Sequence, residues 1–186
     1  MARLPPLKVE ELSALQMKIA TELGSTRGSG GPRTAGPWGA LLRSPALCER
    51  AAALGTLLRD GTSLPARLSE LAIAMAARHW SAQWEWRSHA PKGLKAGLSA
   101  EVMEAIRQRQ RPRFSKRDEE AAYDYVSELL ENKLVSEKTY QALVAELGVN
   151  GAIELTVVAG FYSLIAMLIV GLDISLPEGV EAPFPE

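Results

Sequence analysis

The stretch AIELTVVAGFYSLIAMLIVGL, residues 152–172, is the most apolar part of this 186-residue chain and the strongest indication of its fold class. Apart from Glu154 it carries no charge, and its length would nominally span a bilayer. Thr156, Gly160 and Ser163 dilute the apolar run, however, and basic flanking residues are missing. We therefore predict a helix that is buried in the core or at a subunit interface, and no membrane span.

Upstream of this stretch, apolar residues recur at helical spacing throughout. No alternating run of β-branched residues calls for a sheet. Serine, proline and charged residues suited to helix starts divide the chain into further helices. These starts are Ser44-Pro45, Pro65, Ser81, Ser99, Arg117 and Ser136, and an earlier helix is predicted from Val9. The sequence therefore predicts an all-α fold.

A glycine-rich segment, residues 24–39, follows the first predicted helix, residues 9–23. It contains six glycines, two prolines and two arginines, which predicts a loop. Long loops inside compact domains are usually mobile or functional, and Trp38 suggests that part of this one docks onto the body. A flexible tether fits the composition equally well. We divide the chain into an N-terminal helix and loop, residues 1–35, and an all-α domain, residues 36–186.

The composition excludes several classes of partner. The 21 basic and 22 acidic residues nearly cancel, which leaves no field suited to nucleic acid or to an anionic membrane surface. The single cysteine, Cys48, cannot form an intrachain disulfide and is expected to be buried as a small hydrophobe. Residues 1–20 lack a continuous apolar stretch of the signal-peptide kind. We expect a cytoplasmic protein that binds neither nucleic acid nor membrane.

Glu85 and His89 are the best candidates for chemistry in the sequence. They lie four residues apart on a predicted helix and therefore share one face, within hydrogen-bonding reach. The only other histidine is His79, so few side chains are suited to moving protons near neutral pH. An ordinary surface pair explains the same spacing. Glu70 interrupts an apolar helix, where a carboxylate needs either water or a specific partner.

Five segments resemble the carboxymuconolactone decarboxylases and their relatives, the alkylhydroperoxidases of the AhpD type. They are residues 36–45 (GPWGALLRSP), 67–71 (RLSEL), 84–89 (WEWRSH), 95–98 (KAGL) and 160–167 (GFYSLIAM). The resemblance covers most of the chain after the glycine-rich loop. It implies an AhpD-like helical bundle, here with an additional N-terminal helix and glycine-rich loop, and a homotrimer or homohexamer.

The alkylhydroperoxidase branch of this family carries two redox cysteines between a glutamate and a histidine. The matching positions here are Glu70, Ala82, Glu85 and His89, so both thiols are missing. Peroxide reduction by one thiolate that attacks and another that resolves requires both of them. We therefore expect no peroxidase activity of the paired-cysteine type.

The decarboxylase branch is the closer resemblance, because it needs neither the cysteine pair nor a metal or organic cofactor. It removes carbon dioxide from a carboxylated unsaturated lactone in aromatic-acid breakdown. The enzyme must hold a carboxylate, stabilise a dienolate and deliver a proton to carbon. By this interpretation His89 moves the proton, Glu85 orients the imidazole, and Glu70 is a second acid or base or a hydrogen-bond partner of the substrate.

Arg43, Arg78 and Trp86 are the substrate-binding candidates. Arg43 could grip a carboxylate in a bidentate fork, and Arg78 could take its place. A structural ion pair explains either arginine equally well. Trp86 shares a helix side with His89 and could wall a site, although tryptophans at helical spacing also serve as core anchors.

The sequence thus predicts a cofactor-independent lyase or isomerase that acts on a small carboxylate or lactone. A non-catalytic binding protein on the same fold is the alternative, followed by an alkylhydroperoxidase. A pocket in which Glu85, His89 and an arginine converge would favour the enzyme. A site plugged by Trp84 or Trp86 would favour the binding protein.

Overall fold

The computed structural model describes residues 3–5, 7–27 and 30–184, and within them it contains eight α-helices and no strand. The helices are α1 (Ala14–Arg27), α2 (Gly36–Leu41), α3 (Pro45–Asp60), α4 (Ala66–His79), α5 (Gln83–Lys95), α6 (Ala100–Arg107), α7 (Arg117–Ser127) and α8 (Glu137–Gly171). A 3₁₀ turn, Val9–Glu11, precedes α1, and a π-helical turn, Glu128–Asn132, extends α7. The predicted all-α fold class is confirmed.

Serine side chains cap two helices at the predicted starts. Ser99 Oγ accepts a hydrogen bond from the Val102 N–H at 3.2 Å at the start of α6, and Ser136 Oγ accepts one from the Thr139 N–H at 3.3 Å at the start of α8. Each bond satisfies a backbone donor that has no partner within the helix. The starts of α6 and α8 were therefore readable from the sequence.

Helix α8 combines two predicted helices. Gly148 has φ 69° and ψ 172°, so the helical geometry breaks close to the glycine where the sequence predicted one helix to end. By length and composition α8 could cross a membrane, and half of its most apolar 18-residue window is buried inside the fold.

The glycine-rich loop is shorter than predicted. Helix α1 continues to Arg27 and α2 begins at Gly36, so both ends of the predicted loop, residues 24–39, are helical. Glycine only weakens a helix, by about 1 kcal/mol, and proline is favoured in the first turn, so neither residue prevents these helices. Three residues of α1 enter the common hydrophobic core. They are Ile19, Ala20 and Leu23.

Helix α4 is the central helix and positions the site. It packs against α5, α7 and α8, and every residue from position 71 to position 77 is buried. Four of these seven residues are alanines, which allow neighbouring helices to approach closely. The predicted apolar core segment is confirmed.

An ion-pair cluster fixes the first turn of α4, just before Glu70. Arg67 donates to Glu119 at 3.0 Å and also contacts Asp118, and Lys116 contacts the same Glu119 oxygen at 2.7 Å. Glu119 is buried, so its charge needs these partners far more than a surface carboxylate would. The cluster ties α4 to the start of α7.

A tight turn returns the chain from α4 into α5. Ser81 has φ 54°, and the Ala82 N–H donates to the Ala77 carbonyl at 2.8 Å. The prediction that Ser81 caps α5 was wrong, because Ala82 occupies the N-cap position without a side-chain bond. Helix α5 folds back along α4, and a Cβ built at Gly93 would lie 3.7 Å from Glu70 Cβ. This return brings the middle of α5 beside Glu70.

Candidate functional site

His89 lies between two glutamate side chains where α4 and α5 pack together. Its Nδ1 is 2.8 Å from Glu70 Oε2, and its Nε2 is 3.2 Å from Glu85 Oε1. The side chains of His89, Glu70 and Glu85 are only 10%, 13% and 5% exposed. The pair anticipated from helical spacing is therefore a buried pair, and Glu70 has the specific partner that its apolar setting requires.

The two carboxylates have different surroundings. Glu85 and His89 line a pocket, and Glu70 is not among the residues that line it. A neutral imidazole carries one N–H, and if that proton is on Nδ1 it is donated to Glu70 and leaves Nε2 as an acceptor. A doubly protonated ring would donate to both glutamates. In either state, Glu70 is suited to orienting the ring, whereas Glu85 and Nε2 can exchange a proton beside the pocket.

Tyr162 supports the imidazole from a third direction. The rings of His89 and Tyr162 are in edge-to-face contact, with centroids 5.0 Å apart. Tyr162 belongs to the apolar part of α8 and is itself buried. A ring held by two carboxylates and an aromatic face has few orientations open to it, which is what precise proton transfer requires.

The pocket beside Glu85 and His89 has a volume of about 230 Å³. Sites for drug-sized ligands typically measure about 300–1,000 Å³, so this one suits a smaller molecule. Ser88 contributes to the wall formed by α5, and Trp38 contributes to the wall formed by α2. Trp84 lines the pocket without filling it, so open space remains next to the acid/base pair.

Arg33 brings a positive charge into this pocket from the glycine-rich segment. It is half-buried and close enough to Glu85 for the two charges to interact. Burial lowers the pKa of Arg33, and the negative charge of Glu85 partly opposes that shift. Glu85, His89 and an arginine therefore converge on one pocket, although the arginine is not one of those that the sequence suggested.

Two further cations lie at the same pocket. Arg59, at the end of α3, bonds Asp60 through Nε at 3.0 Å and through Nη2 at 2.6 Å, so a neighbouring carboxylate already compensates its charge. Lys92 lies on α5 one turn beyond His89. Its spacing from Glu85 and His89 places it on the same helix face.

Arg43 lies outside the pocket of His89. It is exposed, and its guanidinium donates to the Gly39 carbonyl at 3.2 Å and to the Pro5 carbonyl. It lines a separate cavity of about 330 Å³ near residues 172–178. These contacts join the start of the chain to α2.

Arg78 and Trp86 also lie outside this pocket. Arg78 donates to the Arg107 carbonyl at 2.6 Å, and its guanidinium lies over the Phe184 ring at 4.5 Å. Trp86 is buried and contacts the same Phe184 ring edge-to-face, with centroids 5.7 Å apart. Both residues therefore hold the segment around residue 184 against the body. Arg78 does so through a carbonyl and a ring, and not through the ion pair given as its alternative, whereas Trp86 is a core tryptophan.

Two charged residues of the pocket, Lys92 and Arg33, were not predicted from the sequence, and only one of them could have been. Lys92 was within reach, because it follows His89 by three residues on the same helix. Arg33 had no comparable signal, since nothing in a glycine-rich segment tells which way its side chains point.

Comparison with known proteins gives a likeness in fold. No protein-family model matches the sequence, and no curated protein matches it. Among solved structures, the fold is similar to that of a protein of unknown function from Agrobacterium tumefaciens, described as a candidate antioxidant defence protein AhpD, with a TM-score of 0.66. The two sequences are 19% identical, and the match covers 76% of this chain and 97% of the other. The chain therefore has the all-α AhpD-like fold that the sequence resemblance implied.

Proposed function

We propose that the protein is a cofactor-independent lyase or isomerase of the carboxymuconolactone decarboxylase type, acting on a small carboxylate or lactone by general acid/base chemistry. The observation that carries this proposal is the imidazole of His89 held between the buried carboxylates of Glu70 and Glu85, with a small pocket on the Glu85 side. Burying three ionisable groups together is costly, and active sites are where such costs are common.

The chemistry requires one mobile proton. In the decarboxylation, the carbon–carbon bond to a carboxylate breaks, carbon dioxide leaves, and the electron pair stays on the substrate as a dienolate. An acid then protonates a dienolate carbon. In an isomerisation the same unit removes a proton from one carbon and returns it to another. General acid/base catalysis of this kind contributes about 10²- to 10⁴-fold to the rate.

The geometry supports a division of roles that differs in part from the one inferred from the sequence. The Glu85 carboxylate and His89 Nε2, 3.2 Å apart, share the proton that goes to or comes from the substrate. Glu70, bonded to Nδ1 at 2.8 Å, orients the ring. Glu85 thus becomes the acid or base next to the substrate, and Glu70 becomes the positioning residue.

Two observations favour this function over thiol-based peroxide reduction. Ala82 and Glu85 stand at the positions of the redox cysteines, and neither can form a thiolate. Cys48 is fully buried in α3 and does not line the pocket of His89. The site is therefore equipped for proton transfer and not for thiol chemistry.

The first step of the test is to find a substrate. Small unsaturated carboxylates and lactones would be screened by thermal shift, because a ligand at about 100 times its dissociation constant stabilises the folded state by roughly 2.7 kcal/mol. Ligands that bind would then be tested for release of carbon dioxide and for exchange of carbon-bound protons with solvent.

The second step tests the roles of His89 and Glu85 with the substrate found. We expect His89→Gln and Glu85→Gln each to lower kcat at least about 100-fold, and the double variant to lose little more, because groups that share one task are non-additive. Glutamine keeps hydrogen-bonding capacity in a buried site, and circular dichroism would verify folding. His79→Ala is the matched control, since His79 also bonds a glutamate, Glu131 at 2.9 Å, outside this pocket. Unchanged turnover in His89→Gln would refute the mechanism.

A further inference from the structure

We infer that a second pocket, formed by the ends of α4, α6 and α7, binds a small phosphate monoester, with Arg78 and Arg109 holding the phosphate group. This second pocket has a volume of about 310 Å³. Among the described residues, those that line it and those that line the pocket of His89 do not overlap. The second pocket is therefore separate from the proposed catalytic site, and ligand binding there does not depend on the proposed function.

Two arginines converge on one hydroxyl oxygen at the second pocket. Arg78 Nη1 donates to Ser81 Oγ at 3.2 Å, and Arg109 Nη2 donates to the same oxygen at 3.0 Å. Their other hydrogen bonds go to the backbone carbonyls of Arg107 and His79, and neither guanidinium forms an ion pair within the described part of the chain. Two like charges held this close repel each other, and a bound anion would relieve that repulsion.

The charges at the second pocket leave a positive excess beside Arg78. Burial lowers the pKa of Arg78, and the positive charges of Arg109 and Arg107 lower it further. Arg107 is paired with a glutamate of its own helix. Glu131, the acidic residue that lines the pocket, bonds His79 at 2.9 Å and is 61% exposed, so water screens much of its charge. Arg78 and Arg109 are therefore the charges that hold the anion, and we assign neither Glu131 nor His79 to it.

Uncharged donors make the second pocket better suited to a phosphate than to a carboxylate. The hydroxyls of Tyr123 and Ser127 and the amide of Gln110 line it, and among the described residues these three groups have no hydrogen-bond partner. Burial raises the pKa of Tyr123, so its hydroxyl keeps its proton at neutral pH and can donate. A phosphate monoester carries a charge of about −1.5 to −2 at pH 7 and has three terminal oxygens. It can therefore accept from both guanidiniums and from these donors, whereas a carboxylate offers only two oxygens.

The rest of the second pocket is apolar. Met75 and Ile106 belong to the buried core, Leu130 packs against it, and all three line the pocket. An apolar group attached to the phosphate would bury its surface against these side chains, which free inorganic phosphate cannot do. The volume is at the lower end of the range for ligand sites, about 300–1,000 Å³, so the ester is a small one.

The test compares three anions by isothermal titration calorimetry with the full-length protein. Phenyl phosphate, inorganic phosphate and benzoate would be titrated at millimolar concentrations, and we expect phenyl phosphate to bind at least about 5-fold more tightly than the other two. Arg109→Gln should weaken its binding about 10-fold and Tyr123→Phe about 3-fold, because each variant removes a hydrogen-bond donor. Arg109 is exposed, and circular dichroism would verify that its variant folds. Arg113→Gln is the matched control, because Arg113 is exposed on the same connection and does not line the second pocket.

The possible outcomes separate this inference from the proposed function. Binding of phenyl phosphate that weakens in Arg109→Gln and persists in Arg113→Gln and His89→Gln supports the second site, whether or not a substrate for His89 is found. No binding of phenyl phosphate, or unchanged binding in Arg109→Gln, would overturn the inference. Equal weakening in Arg109→Gln and Arg113→Gln would also overturn it, since that result indicates only a general attraction to basic surface. Benzoate or inorganic phosphate binding as tightly as phenyl phosphate would refute the assignment to a phosphate monoester.

Discussion

At the scale of single residues, the distinctive substitution is a carboxylate where the resembling alkylhydroperoxidases have a thiol. Glu85 occupies the position of their second cysteine and lies 3.2 Å from His89 Nε2. A thiolate reacts as a nucleophile with peroxide, whereas a carboxylate beside an imidazole moves protons. Under the proposed function, these groups on the AhpD-like fold serve proton transfer in place of thiol chemistry.

We expect the purified protein to show no thiol-dependent peroxide turnover. Cys48 is its single cysteine and is fully buried, so peroxide has no access to it and no second thiol can resolve an oxidised intermediate. Hydroperoxide consumption with a dithiol reductant would be measured for the wild-type protein and for Cys48→Ala. Catalytic consumption that disappears in Cys48→Ala would contradict this expectation.

The residues of the site differ in how far the sequence could predict them. Glu85 and His89 are neighbours on one helix, so their spacing alone brings them together. Glu70 reaches His89 only because α5 folds back along α4, and here the family resemblance supplied what local spacing could not. Arg33 depends on the docking of a segment without helical periodicity, so the sequence pointed to Arg43 and Arg78 instead. Choosing among arginines requires knowing where each backbone segment lies.

At the scale of elements, the segment between α1 and α2 differs most from its prediction. The sequence predicted a loop over residues 24–39, whereas both ends of that range are helical. The helix starts at Ser44-Pro45, Pro65, Ser99 and Ser136 were predictable from local sequence, whereas the cap predicted at Ser81 was wrong. Whether a glycine-rich segment docks is decided by distant contacts, and the composition fitted a tether equally well. The glycines at positions 36 and 39 prove to serve close packing, against Trp84 and the Thr34 carbonyl.

The docking of this segment predicts a measurable cost for Gly36→Ala. Gly36 has φ 65°, and an added Cβ would lie 2.6 Å from the indole of Trp84, so the variant suffers both backbone strain and a steric clash. We expect it to lower the free energy of unfolding by about 2–4 kcal/mol in urea denaturation. Gly30→Ala is the control, because Gly30 has φ 70° with nothing within 4 Å of an added Cβ, and should cost only about 1–2 kcal/mol. Equal losses in the two variants would show that the contact with Trp84 is not tight.

At the scale of the whole molecule, α8 presents an exposed apolar stripe. Its members recur at spacings of three, four and seven residues, which places them on one helix face that runs for about 30 Å. Gly160 is exposed in the middle of the stripe, where a neighbouring helix could approach closely. The exposed apolar side chains are Val149, Ile153, Val157, Leu164, Met167 and Val170. Contiguous apolar surface of this length is uncommon on a monomer, and a second copy of the same chain offers a surface that matches it.

We therefore expect the protein to self-associate through α8, as a trimer or hexamer if it follows the proteins it resembles. Light scattering coupled to size-exclusion chromatography would give the mass of the wild-type protein and of the double variant Ile153→Glu, Met167→Glu. The variant should dissociate, because two carboxylates per chain would be desolvated in the interface without partners. Leu134→Glu is the control, since Leu134 is 73% exposed in the turn before α8 and lies off the stripe. A monomeric wild-type protein, or a double variant with the mass of the wild-type oligomer, would contradict self-association through α8.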